Sequence, residues 1–134
     1  MKCLRGWHLA AGLLIFAAAA HAAPAPALGS AARAEISYLL STVANSDCEF
    51  YRNGSWYNSK FAADHISSKY KYLLARNLVQ STEDFIEKAA TRSSMSGRDY
   101  AIRCGGGAAV PTSQWLLILV ARYRESHTDA LTQN

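Results

Sequence analysis

The sequence predicts an α+β domain: mainly helical, with about four helices, a small β-hairpin, a third short strand and one disulfide. Three observations lead there. Apolar residues recur at helical spacing in separate segments along the chain. Asn53-Gly54 stands between aromatic residues, the strongest short signal for a two-residue hairpin turn. Cys48 and Cys104 remain as an even pair once the N-terminal segment is set aside.

That segment starts positive (Met1-Lys2-Cys3-Leu4-Arg5), is apolar from Leu9 to Ala20, and closes on Ala20-His21-Ala22, a small-x-small cleavage site. It reads as a secretory signal peptide over 1–22. Its apolar run falls short of the roughly 20 residues that span a bilayer, so no stable membrane anchor is expected after cleavage. The expected location is periplasmic or secreted. Residues 23–29, Pro/Ala-rich, read as a flexible leader. Residues 30–127 read as a single folded domain and 128–134 as a polar tail. Cleavage after Ala22 leaves 112 residues, enough for one modest core that gains from a staple. The mature part carries 12 basic and 10 acidic residues, interspersed, a net charge of about +2. Without a Lys/Arg stripe, nucleic acid is not an expected partner.

Along the domain, Ser30 is placed to cap a first helix whose stripe is Ile36, Leu39, Leu40 and Val43, ending near Asn45-Ser46. The hairpin follows over 48–57. Asn58 or Ser59 caps a second helix to about Arg76, with Ala62, Ile66, Tyr70 and Leu73 on its apolar face. Asn77 breaks it. Ser81 opens a third helix with Glu83 and Asp84 in the first turn, where the helix dipole favours carboxylates. Phe85, Ile86, Ala89 and Ala90 form its buried face. In "DYAIRC", Tyr100, Ile102 and Cys104 alternate with Asp99, Ala101 and Arg103, a short half-buried strand that can pair with the hairpin. "GGGAAVP" reads as a loop. Thr112 or Ser113 then caps a last helix, apolar all round from Trp115 to Ala121 and so expected to be central and covered on several sides. A Cys48–Cys104 bond would pin the sheet and close a loop of about 57 residues, worth on the order of 4 kcal/mol by chain entropy.

Chemistry is sparse. The mature histidines are His65 and His127, with no His-x-x-His or Cys-x-x-Cys, so neither metal nor cofactor is expected. The triple glycine at 105–107 lacks the Gly-Lys-Ser/Thr of a phosphate loop. His65 is the central base, with Ser93, Ser94 and Ser96 as conceivable nucleophiles, but no Gly-x-Ser-x-Gly or Ser-x-x-Lys links them, and no catalytic residue is assigned. As a binding site the same region is richer. Lys69 lies one turn from His65, and Arg92 and Arg98 frame the serines, able to hold a carboxylate or phosphate bidentately. The candidate binding set is His65, Lys69, Arg92, Ser93, Ser94, Ser96, Arg98 and Tyr100.

"FYRNG", "AADHISSKYKY", "TEDFIEKAATRSSMSGRDYAIRC" and the late "WLL" resemble a family of exported bacterial proteins, domain of unknown function family 5329. The matching positions include Phe50, Arg52, Asn53, Gly54, His65, Lys69, Tyr70, Asp84, Phe85, Ser93, Ser94, Ser96, Gly97, Tyr100 and Trp115, with Ile66 where the family carries Leu. The resemblance covers most of the mature chain in order. It implies export and a shared fold, brings no activity, and puts His65, Lys69 and the serine loop in one recurring pattern. Ser96-Gly97-x-x-Tyr100 is also similar to the Ser-Gly-x-x-Tyr loop of periplasmic inhibitors of c-type lysozyme, which offers hydroxyls to the enzyme's catalytic carboxylates. The leading expectation is a non-catalytic binding module with an envelope protein as partner. Inhibition of an envelope-directed enzyme through Ser96–Tyr100 comes second, and a small serine hydrolase third.

Overall fold

A computed structural model describes residues 27–132; the signal-peptide reading, all but the end of the leader, and the last two residues of the tail lie outside them. The first helix, α1 (Ser30–Ala44), starts at the residue predicted to cap it. Gly29 is the capping residue, in extended conformation, and Ser30 is the first helical residue. Leu28, at the end of the stretch read as a leader, is buried in the core, and its carbonyl accepts from Arg33 Nε at 3.1 Å.

The hairpin forms as its turn residues dictate. Strands β1 (Glu49–Arg52) and β2 (Ser55–Asn58) pair antiparallel, with Arg52 opposite Ser55. Asn53 (φ 51°) and Gly54 (φ 93°) take the positive φ values that a tight hairpin turn requires. Asn58 ends β2 and caps α2 (Ser59–Leu74), its Oδ1 accepting from Phe61 N at 2.9 Å. Asn77 terminates the helix at φ 54°, with Leu78 N donating to Leu73 O and Asn77 N to Leu74 O, a Schellman closure.

The third helix, α3 (Thr82–Phe85), is capped by Ser81 Oγ, which accepts from Asp84 N at 3.0 Å. It widens into a π turn over Ile86–Ala90. Phe85, Ile86, Ala89 and Ala90 are all buried, as their spacing implies.

Strand β3 (Ala101–Arg103) pairs antiparallel with β1, Phe50 opposite Ile102. The glycine segment, expected as a loop, turns the chain back far enough for a fourth strand, β4 (Val110–Pro111), to pair with β3. Pro111 is tolerated because β4 is an edge of the sheet, whose order is β2-β1-β3-β4. The β1–β3 register puts Cys48 directly opposite Cys104, one step beyond Glu49 and Arg103. Their Cα atoms are 4.4 Å apart and a disulfide joins them.

The last helix, α4 (Thr112–Thr132), corrects one expectation. It is not covered on several sides. Leu116 and Val120 are buried, but Leu117 is 46% and Ile118 is 47% exposed. The helix lies across one side of the domain, against α1, the π turn and the β3–β4 edge. Its second half is clamped by Arg124, which donates to both oxygens of Glu35 on α1 (2.8 and 2.7 Å) and to Glu83 on α3 (2.8 Å). Thr82 Oγ1 donates to the same Glu35 carboxylate. No helix among the described residues is long and apolar enough to cross a membrane.

Candidate functional site

Side chains on the core face of a hairpin alternate with those on its outer face, so Phe50, Arg52 and Tyr57 point inward together while Tyr51 and Trp56 pair on the other side. An arginine on the inner face is the exception that makes a site. Helix α2 packs against this face and presents Phe61, Ala62, His65 and Ile66 at one-turn spacing. Tyr100 arrives from the entrance to β3. Thr112, the first residue of α4, is held there by a hydrogen bond from its N–H to Tyr100 O at 3.1 Å. These residues line a cleft of about 320 Å³ counted out to open solvent.

The cleft walls are apolar, with Arg52 as the one permanently charged side chain among them and Lys69 at the border. His65 Nε2 lies 3.3 Å from the Tyr100 hydroxyl, their rings edge to face. Lys69, one turn further along α2, reaches Arg92 O at 2.7 Å with its Nζ 5.5 Å from the centre of the Tyr100 ring. Burial, then the charges of Arg52 and Lys69, push the His65 imidazole below its ordinary value. Burial and Arg52 do the same to the Lys69 ammonium. No acidic side chain is among those lining the cleft. Two buried polar atoms here have no hydrogen-bond partner, Arg52 Nε and Thr112 Oγ1, and Thr112 is fully buried.

The predicted binding residues divide into two groups. His65 and Tyr100 lie in the cleft, and Lys69 borders it. The serine loop is folded on itself instead. Ser93 is buried, its N–H donating to Arg98 O at 2.9 Å and its Oγ accepting from Met95 N and Ser96 N at 3.3 Å each. Ser96 Oγ donates to Asn53 Oδ1 at 2.5 Å, tying the loop to the hairpin turn. Gly97, at φ 69°, takes the left-handed conformation that closes the loop. Arg92 extends toward Glu87 and Asp99, 3.8 Å from each. Ser94 and Arg98 are exposed. The arginines therefore do not converge with His65, and the partner of His65 is a phenol rather than a serine.

Sequence reasoning missed Arg52 and Thr112 as site residues. A usable signal existed for Arg52: it shares strand parity with the buried Phe50, so an arginine at that place must face inward. Thr112 read only as a helix cap. Among the described residues no group of His, Cys, Asp and Glu is placed to hold a metal.

A model described as "Family of unknown function (DUF5329)" matches residues 30–124. No curated protein matches the chain, and no solved structure does.

Proposed function

The chain belongs to the family of unknown function DUF5329, and on that premise we propose that it is an exported binding domain that engages an envelope partner through the Arg52–His65–Tyr100 cleft without catalysing a reaction. One observation carries the reading: Arg52 from the hairpin and the His65–Tyr100 pair meet in an apolar cleft with no lining carboxylate, and Lys69 adds a second positive charge at its border. Folding gains little from a half-buried charge without a counter-charge, so the arrangement favours a binding role. Export is supported by the signal-like N-terminus and by the disulfide, which suits an oxidising compartment.

Loop-borne inhibition of an enzyme such as lysozyme has less support. Tyr100 is 6% exposed with its hydroxyl turned to His65, and Ser96 is bonded to Asn53.

The test is cell fractionation with capture. The expected outcome is a mature chain starting at Ala23 in the periplasm or medium, with no free thiol, that retains envelope material which a folded His65→Gln variant releases. A reduced chain held in the cytoplasm, or identical capture by both proteins, contradicts the proposal.

A further inference from the structure

One side of α4 is apolar where the helix of a lone domain is ordinarily polar. Its core side buries Leu116 and Val120, with Trp115, Leu119 and Tyr123 half-buried beside them. On the opposite side Gln114, Leu117, Ile118, Ala121 and Glu125 are all exposed. At helical spacing these five fall within an arc of about 100°. Solvent-facing arcs are normally charged or polar, and a helix apolar all round is normally covered all round. Here the middle of the arc is Leu117, Ile118 and Ala121, the first two 46% and 47% exposed.

The arc is patterned as a helix-pairing seam. Gln114, Ile118, Ala121 and Glu125 follow one another at steps of four, three and four residues, the a/d spacing of helices that pack along their length. Gln114 and Glu125, at its two ends, have no side-chain partner among the described residues. The pattern is complementary to itself in one direction only. With two copies antiparallel about an axis between Leu119 and Val120, each Ile118 lies over Ala121 of the other copy, a large side chain against a small one. Each Gln114 amide then faces the other copy's Glu125 carboxylate and donates to it. A parallel pair would set Glu125 against Glu125, and like charges repel. The antiparallel pair also opposes the two helix dipoles.

We propose that two copies of this chain associate through the outer face of α4, as an antiparallel helix pair centred on Ile118 and Ala121. A two-fold contact of this kind closes on itself and stops at the dimer. The mature part carries a net charge of only about +2, so repulsion between copies is small. The seam uses none of the residues that line the cleft, and the proposal is independent of the binding reading. A seam of about three turns is a small interface, so the association is weak and reversible.

The experiment is sedimentation equilibrium of the disulfide-intact mature chain from about 1 μM to 1 mM. The mass is expected to double across the range, with a midpoint on the order of 100 μM. Ile118→Glu, at an exposed position, should keep the wild-type melting temperature at low concentration and raise the midpoint about tenfold or more. Two further variants read the direction of pairing. Gln114→Lys places two ion pairs with Glu125 in each dimer and should tighten association about fivefold at low salt; Gln114→Glu should weaken it by about the same factor. A monomer throughout the range overturns the proposal and leaves a different protein as the occupant of this face. A dimer that Ile118→Glu does not weaken overturns it by placing the contact elsewhere. A dimer weakened by Gln114→Lys, in which like charges would meet in a parallel pair, overturns the antiparallel arrangement.

Discussion

The hydroxyl of Tyr100 lies 3.3 Å from Nε2 of His65, joining the entrance of β3 to the middle of α2 across 35 residues of sequence. The contact closes one wall of the cleft and gives the half-buried imidazole its polar partner. Tyr100→Phe keeps the ring and removes the bond. It should cost about 1 kcal/mol of stability in urea unfolding. No loss would mean that water replaces the hydroxyl without penalty.

His65 also makes stability depend on pH. Its imidazole is held below the ordinary value by burial, Arg52 and Lys69, with the Tyr100 hydroxyl as neighbour. The unfolded chain therefore binds the proton first. Stability is full above the unfolded value of about 6.5, falls as pH drops below it, and levels off below the folded value. The melting temperature should decline from pH 7 toward pH 5. His65→Gln should flatten that limb, and an unchanged limb would assign it to other groups.

The Arg124 clamp acts at lower pH. Hydrogen bonds from Arg124 hold the Glu35 and Glu83 carboxyls below the usual range, against an opposing effect of burial. Their contribution is present above the unfolded value of about 4.3 and is lost as pH falls through the folded values. Acid unfolding of the wild type should steepen there, and Arg124→Gln should remove the steep part. Coincident acid profiles would show the clamp to be energetically silent, as exposed pairs often are.

Cys48 and Cys104 are joined across β1 and β3 at the end of their ladder. Replacing both with Ala should cost about 2–4 kcal/mol in urea unfolding. A midpoint equal to the wild type would mean that the sheet is already fixed by packing alone.

The serine loop separates structural from free hydroxyls. Ser93→Ala removes an acceptor for two backbone N–H groups and should cost about 1 kcal/mol. Ser94→Ala, on the exposed side, should stay within about 0.5 kcal/mol of wild type. Thermal melts of the two variants check this, and equal effects would contradict the assigned roles.

Local signals reached most of the fold because each acts over a few residues. Asn53-Gly54 fixed the turn, Asn58 and Ser81 the caps, and the even cysteine pair the staple. Two features depended on distant partners and were not legible. The strand at Val110–Pro111 is too short to show a period and exists through pairing with β3. The apolar belt of α4 implied cover on several sides, but a domain of this size supplies too few neighbours, and Leu117 and Ile118 stay exposed. The site was half legible. His65, Lys69 and Tyr100 stood out by residue type and spacing. The serines and arginines stood out equally, yet their loop closes on itself through Ser93 and Gly97. Arg52 was hidden because its inward direction follows from strand parity, and Thr112 because nothing at the start of a helix tells in one dimension which cleft it borders.

The central claim is that the cleft holds positive charge without an acidic partner of its own. The most direct test is the imidazole pKa of His65, followed by NMR in the wild type and in Arg52→Gln. The account predicts a value below the ordinary 6.5 in the wild type and a rise when the Arg52 charge is removed. A wild-type value at or above 6.5, unmoved by Arg52→Gln, would show that the charge is already neutralised and contradict the account.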